Sequence, residues 1–210
     1  MYKIYINERP LILTDTISVK DSWHSQKKTL VVQYLNKSKQ LLQYIDMLSK
    51  SNKVEKVILH HTNRKQLKKD FFSLVKVVEA GGGLVFNEKS EILAIFRRGS
   101  WDLPKGKIEN DEHKRLGALR EVMEETGVDN VSISKKVGKT YHLFNNKGNK
   151  RSLKLTYWYS MTTEFKDDLV PQLEEDIEKA EWVEPKKFLK EYKPMYKNIS
   201  DIVQRYLEES

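Results

Sequence analysis

The chain has 210 residues, 39% of them hydrophobic and 32% charged, with a formal net charge of +8 and no cysteine. This length and apolar content argue against a disordered chain and allow one large or two modest packed domains. The lack of cysteine excludes disulfides, thiolate zinc sites and cysteine nucleophiles, and it fits a reducing compartment, so a cytoplasmic location without membrane contact is expected.

Charge is unevenly placed along the chain. Residues 1–76 hold 15 Lys/Arg against 6 Asp/Glu, a balance of +9, whereas the remainder holds 23 against 24. A small basic α/β domain over 1–76, followed by a nearly neutral domain over 77–210, is the organisation this implies, with the first able to attract phosphate-rich partners. The start, MYKIYINERPLILTD, alternates like strands and lacks the basic and apolar blocks of a signal peptide; no run approaches the roughly 20 apolar residues of a membrane span. Thr29 to Leu35 reads as a strand. Ser38 to Ser49 reads as a helix, because Leu41, Leu42, Ile45 and Leu48 follow helical spacing. Val54 to His61 reads as a strand, and this order favours a parallel crossover. His60 and His61 point to opposite faces of it, which argues against a shared metal. Lys65 to Leu74 is a second helix burying Leu67, Phe71 and Leu74, with Lys65, Lys68 and Lys69 turned away.

A new pattern begins at Val77, where a strand to Asn87 is interrupted by Gly81, Gly82 and Gly83; such glycines let a ligand or another backbone come close. Ile92 to Arg97 is the next strand, Trp101 to Asn110 a loop, and Asp111 to Thr126 a helix capped by Asp111 and ended by Gly127. Strands follow at Val131 to Val137, Gly138 to Phe144, Ser152 to Thr162 and Glu181 to Val183, and Ser200 to Leu207 closes the chain as a helix.

The segment GKIENDEHKRLGALREVMEETGV, Gly106 to Val128, carries the chemistry. On a helical wheel Leu116, Leu119, Val122 and Met123 form one face, with Glu121, Glu124 and Glu125 opposite and Gly117 among the acids. Three carboxylates at such spacing repel, costing a few tenths of a kcal/mol per pair. A divalent cation with a preference for oxygen ligands reverses that cost, and magnesium suits clustered glutamates better than zinc does.

Gly106, Glu112, Arg120, Glu121, Val122, Glu124, Glu125, Gly127 and Val128 fill every defined position of the pattern G-x5-E-x7-R-E-U-x-E-E-x-G-U, with U aliphatic. The chain therefore resembles the Nudix hydrolase family, loosely from about Val77 to Tyr192. That resemblance implies a mixed β-sheet with flanking helices, an α/β/α sandwich. It implies one to three Mg2+ ions, with Mn2+ able to substitute. Glu121, Glu124 and Glu125 would be metal and base residues, the Gly106 carbonyl a further ligand, and Arg120 and Glu112 orienting residues. The family places one more acid in a loop before a late strand, for which Glu175 is chosen from Glu174, Glu175 and Asp176.

Cutting a diphosphate bridge requires neutralising its oxygens, aligning water with phosphorus and removing a proton. Arg97, Lys105 and Lys107 border the motif and are candidates for outer phosphates, as is His142 beyond it. The expected activity is metal-dependent hydrolysis of a diphosphate linkage in a nucleoside polyphosphate or related small molecule; RRGSWDLPKGKIE with Tyr141 and His142 resembles the branches of the family that act on dinucleoside polyphosphates or diphosphoinositol polyphosphates, which that resemblance favours. The basic first part admits an RNA end as partner, and a homodimer is left open. The alternative is a ligand-sensing regulator of the same fold whose basic unit binds nucleic acid; the full set of acids and the lack of a helix-turn-helix pair speak against it.

Overall fold

In the computed structural model, which describes residues 1–146 and 150–209, the chain divides into two units. Met1–Val78 and Tyr141–Lys154 form the first, and Glu79–Thr140 and Leu155–Ser210 the second. The change of pattern expected at residue 77 falls inside one strand, and the first unit also takes residues 141–154.

The first unit is built from β1 (Tyr2–Ile6), β2 (Arg9–Asp15), a one-turn α1 (Asp21–His24), β3 (Thr29–Gln33), α2 (Ser38–Lys50), β4 (Lys56–His61) and α3 (Arg64–Ser73). β1 pairs antiparallel with β2, and β4 lies parallel to both β2 and β3. The strand, helix and parallel strand read from the periodicity are therefore present. Leu41, Ile45 and Leu48 of α2 and Leu67 and Phe71 of α3 are fully buried with Leu11, Leu13, Val57 and Leu59. Each such aliphatic burial is worth about 1.5–3 kcal/mol. Lys68 departs from expectation: its ammonium lies 4.8 Å over the Tyr2 ring and 5.2 Å over Phe72, whereas Lys65 and Lys69 are exposed.

The remaining elements are β5 (Lys76–Phe86), β6 (Ile92–Arg97), β7 (Ser100–Asp102), β8 (Lys105–Lys107), α4 (Lys114–Thr126), β9 (Ser132–Asn145), β10 (Arg151–Thr162), β11 (Ile177–Val183), α5 (Pro185–Glu191) and α6 (Lys197–Glu208). In the second unit the strand order is β11-β6-β5-β10-β9, with β7 on β6 and β8 on β5. The outer end of β9 belongs to the first unit and pairs parallel with β1, Tyr5 opposite His142. Residues 101–110, expected as a loop, thus contain two short strands, and the two strands expected over 131–144 are one continuous β9.

The glycine triplet settles how the second unit is layered. A Cβ on Gly81 would lie 2.8 Å from the backbone N and Cα of Ala118, and one on Gly83 would meet Val122, so α4 lies against this face of β5. A Cβ on Gly82 would instead meet Trp158, which is packed with Phe188, Ile199, Ile202 and Val203 of α5 and α6. Alternation along a strand sends successive side chains to opposite faces, so helices cover the mixed sheet on both sides, as expected for an α/β/α sandwich.

This close approach corrects the wheel drawn for α4. Its buried stripe is Ala118, Val122, Glu125 and Thr126, while Leu116 is 61% and Met123 39% exposed. Only a small residue fits above Gly81, so steric fit rather than hydrophobicity chose the inner face. Gly117 is buried too, its missing side chain leaving room for the Glu112 carboxylate. The N-cap is His113, whose ring accepts the Arg115 amide, not Asp111, which adopts a left-handed turn at φ 63°. Gly127 ends the helix with φ 72°, as expected.

Gly81→Val tests this contact. The added methyl groups must push α4 off β5, an overpacking cost of about 1–3 kcal/mol, and thermal denaturation should show a Tm lower by about 2–4 °C per kcal/mol. An unchanged Tm would show that the helix has room to spare.

Candidate active site

Helix α4 brings an acid-rich edge next to β8, and one arginine organises it. The Arg120 guanidinium donates from Nε and Nη2 to the two oxygens of Glu112 at 2.9 and 3.0 Å. Its Nη1 donates to Glu121 at 2.9 Å and to Glu124 at 2.8 Å, and Nη2 also reaches the Lys107 carbonyl at 3.1 Å. Glu112 is held further by the Glu109 amide, 2.9 Å away. Such two-pronged, charge-assisted pairing fixes geometry as well as energy. It lowers the Glu112 carboxyl from 4.5 to about 2 and raises Arg120 above its usual range.

Glu121 lies directly against β8. A Cβ on Gly106 would sit 1.7 Å from Glu121 Oε2, so only glycine admits this carboxylate. Burial pushes the Glu121 carboxyl up against the pull of Arg120, and the charges of Glu124 and Glu175 push it the same way. Glu124 is the open member, with 50% of its side chain exposed.

Glu125 corrects the reading that placed it on a solvent-facing edge, because it is 1% exposed. Its Oε2 accepts the Lys105 backbone amide at 2.8 Å and its Oε1 accepts from Arg97 at 3.2 Å. Burial nevertheless raises it to about 7. Substituting it disturbs packing as well as chemistry, which leaves Glu121 and Glu124 as the more diagnostic positions.

Arg97 donates its other prong to Glu175 at 2.7 Å, which brings the chosen loop acid to the same edge. The loop is tied there by backbone bonds from Val170 to the Thr126 carbonyl and from Gln172 to the Glu125 carbonyl. Beside it Arg98 pairs with Asp176 at 2.8 Å. The buried Arg97 Nε has no acceptor among the described residues, and an unmet donor of this kind costs about 1–3 kcal/mol unless a water or a ligand oxygen meets it.

The phosphate-binding candidates separate. Lys105 is buried, its ammonium paired with Asp102 and its backbone amide bonded to Glu125. Asp102 carried no sequence signal; only folding shows it as the partner. Lys107 is exposed and no partner of its ammonium is found among the described residues, so it remains available. His142 lies on the outer end of β9 in the first unit, near Phe144.

The donor set fits a hard divalent cation: carboxylate oxygens from Glu121, Glu124 and Glu175 within each other's field, one of them pressed on a glycine backbone. Among the described residues no three acid or histidine side chains close around one point; arginines hold the acids instead.

The sequence profile described as NUDIX domain matches residues 77–206, more than half of the chain. The m7GpppN-mRNA hydrolase of Saccharomyces cerevisiae is 33% identical over 139 residues, covering 61% of this chain and 13% of that protein. A putative 8-oxo-dGTP diphosphatase of Bacillus subtilis is 40% identical over 57 residues, 26% of this chain and 38% of that one. The chain thus spans well under two thirds of either curated relative. Among solved structures, the MutT protein of Methanosarcina mazei has a TM-score of 0.49 at 26% identity, covering 64% of this chain and 96% of that one.

The Glu112–Arg120 pair predicts a pH signature. Its folded value of about 2 lies below the ordinary 4.5, so the stability it adds is complete above pH 4.5 and fades as pH falls towards 2. The urea midpoint difference between the parent and Glu112→Gln should be clear at neutral pH and shrink on acidification through that window. A difference that stays constant would dissociate Glu112 from Arg120.

Proposed function

The chain belongs to the Nudix family, and on that premise we propose that it is a divalent-metal-dependent pyrophosphohydrolase that cuts a diphosphate linkage in a nucleoside polyphosphate or a related molecule. The observation that carries this reading is the Glu121 carboxylate seated on Gly106, with Glu124 beside it on the same arginine. Glu121, Glu124 and Glu125, with the Gly106 carbonyl and Glu175, would hold Mg2+ or Mn2+. The ion, when bound, neutralises phosphate oxygens and lowers the pKa of water.

The protein's own groups supply the rest. Arg120, anchored on Glu112, sets the rotamers of both Glu121 and Glu124, which positions them before substrate arrives. Glu124 is half exposed and Glu121 lies beside it on the same guanidinium, and the proton leaving the attacking water goes to one of them. Arg97, whose Nε has no acceptor among the described residues, and Lys107, for whose ammonium no partner is found among them, would face the charge of the outer phosphates. Lys105 supports the site from below by holding Glu125 through its amide.

For substrate, the names of the relatives favour nucleoside polyphosphates over sugar nucleotides. Dinucleoside polyphosphates and diphosphoinositol polyphosphates remain the small-molecule candidates. A second reading, the polyphosphate end of an RNA, is supported by the +9 balance of residues 1–76 and by the likeness to a protein named m7GpppN-mRNA hydrolase. A purely ligand-sensing role has no use for the complete set of acids.

Incubation with Mg2+ and a panel of capped RNA fragments, dinucleoside polyphosphates, nucleoside triphosphates and diphosphoinositol polyphosphates, in ¹⁸O water, tests activity and attack position together. Glu121→Gln and Glu124→Gln should each lower turnover by about 100-fold or more, the equivalent of losing several kcal/mol of transition-state stabilisation. Parent-like turnover in both variants would sink the assignment.

Metal binding has a separate readout. Because an ion that binds only the folded chain stabilises it, saturating Mg2+ should raise the Tm of the parent and leave a Glu121→Gln/Glu124→Gln double variant unmoved. Equal gains would place the ion elsewhere.

A further inference from the structure

The first unit contains a recess of about 560 Å³ that the hydrolytic reading does not use, lined by Asp46, Lys50, Lys76, Asn145, Lys150 and Arg151 among others. Four of these residues are cations and one is an anion. Arg151 is paired with Asp46, and Lys50 stands 3.6 Å from the same carboxylate. For Lys76 and Lys150 no carboxylate partner is found among the described residues, and both are exposed.

The recess also lies at the last turn of α2, whose Ser49 is a lining residue. A helix C-terminus carries about half a negative charge and would oppose an anion. Here that charge is already engaged, because Arg9 donates to the Leu48 carbonyl at 3.1 Å and to the Ser51 carbonyl. Subtracting Asp46 and even the full half-charge of the helix leaves a local surplus of roughly 2.5 positive charges. Asn145 and Ser49 bring further hydrogen-bonding groups to the wall, and Leu74 gives it an apolar patch.

A concave volume of this size lies in the range that takes small-molecule ligands, and unpaired ammonium groups on its rim select oxyanions. We propose that this recess is a binding site for phosphate-bearing ligands, separate from the hydrolytic edge and formed entirely by the first unit. Two sources carry that chemistry, the backbone of a polynucleotide and a free oligophosphate. In either case Lys76 and Lys150 make the phosphate contacts, while Arg151 is held in place by Asp46.

The test uses the full chain in EDTA, so that binding is read without hydrolysis. Its probes are a fluorescein-labelled single-stranded RNA with a 5′-hydroxyl end, which offers no polyphosphate to the hydrolytic edge, and inorganic tripolyphosphate followed by calorimetry. The Lys76→Gln/Lys150→Gln variant is compared with Lys186→Gln/Lys187→Gln, an equal charge change on the exposed surface of α5. If RNA binding weakens in the first variant only, and its log–log salt slope falls by about 1.4 as two single-strand phosphate contacts are lost, the ligand is a polynucleotide backbone. Weakening of tripolyphosphate binding as well, again confined to that variant, identifies a free oligophosphate. If neither probe is weakened more than by the control pair, the recess is not a phosphate site. Dinucleotide hydrolysis in Mg2+ should be equal in all three proteins, so failure here is distinguishable from failure of the proposed activity.

Discussion

The second unit depends on how closely the backbone of α4 approaches β5. Ala118 sits where a side chain on Gly81 would have to go, and Val122 does the same at Gly83. That contact fixes the rotation of α4 about its axis, and everything on the helix follows from the rotation. Glu125 turns inward to the Lys105 amide, Glu121 comes to rest on Gly106, and Glu124 and Arg120 remain at the edge. The apolar Leu116 and Met123 are left outside. A larger residue at either glycine would rotate or lift the helix, and the acids would move with it.

With the helix fixed, the electrostatic problem is that five acids share one small region. The fold answers it with two arginines of complementary reach. Arg120 spans Glu112, Glu121 and Glu124, and Arg97 spans Glu125 and Glu175. Both are forks rather than point charges, so they set direction as well as potential. The carboxylates nonetheless differ: Glu112 is driven strongly towards ionisation, while burial raises Glu121 and Glu125. A site whose acids are partly buried and mutually repelling gains from a divalent cation, which is the same physical ground on which the proposed hydrolysis rests.

The first unit solves a different problem. Its strands and two longer helices build an ordinary aliphatic core, and its surplus charge is carried at the surface. Some of that charge is absorbed locally, as when Lys68 lies over Tyr2 and Phe72 or Arg9 closes the end of α2. Part of what is left lies where α2 ends, beside Lys76 and Lys150, for which no carboxylate partner is found among the described residues. Binding of an oxyanion there would relieve the repulsion that a basic surface stores.

The sequence alone determined the class of elements, the parallel pairing of β3 and β4, the cap at Gly127 and the family, because periodicity, turn chemistry and a spaced motif are local properties of the chain. The family resemblance, itself carried by spacing along the chain, implied that Glu112, Arg120, Glu121, Glu124 and Glu125 act together. Only the tertiary structure decided which face of α4 is buried, because that depends on glycines in a strand more than thirty residues away. Lys105 is buried for the same reason: its partner, Asp102, and the Glu125 that its amide holds are brought to it by packing, which no pattern along the chain encodes. The recess of the first unit, drawn from residues 46–50, 74–76, 145 and 150–151, is non-local in the same way. A sequence states which groups are present, and burial and distance decide which of them are free to act.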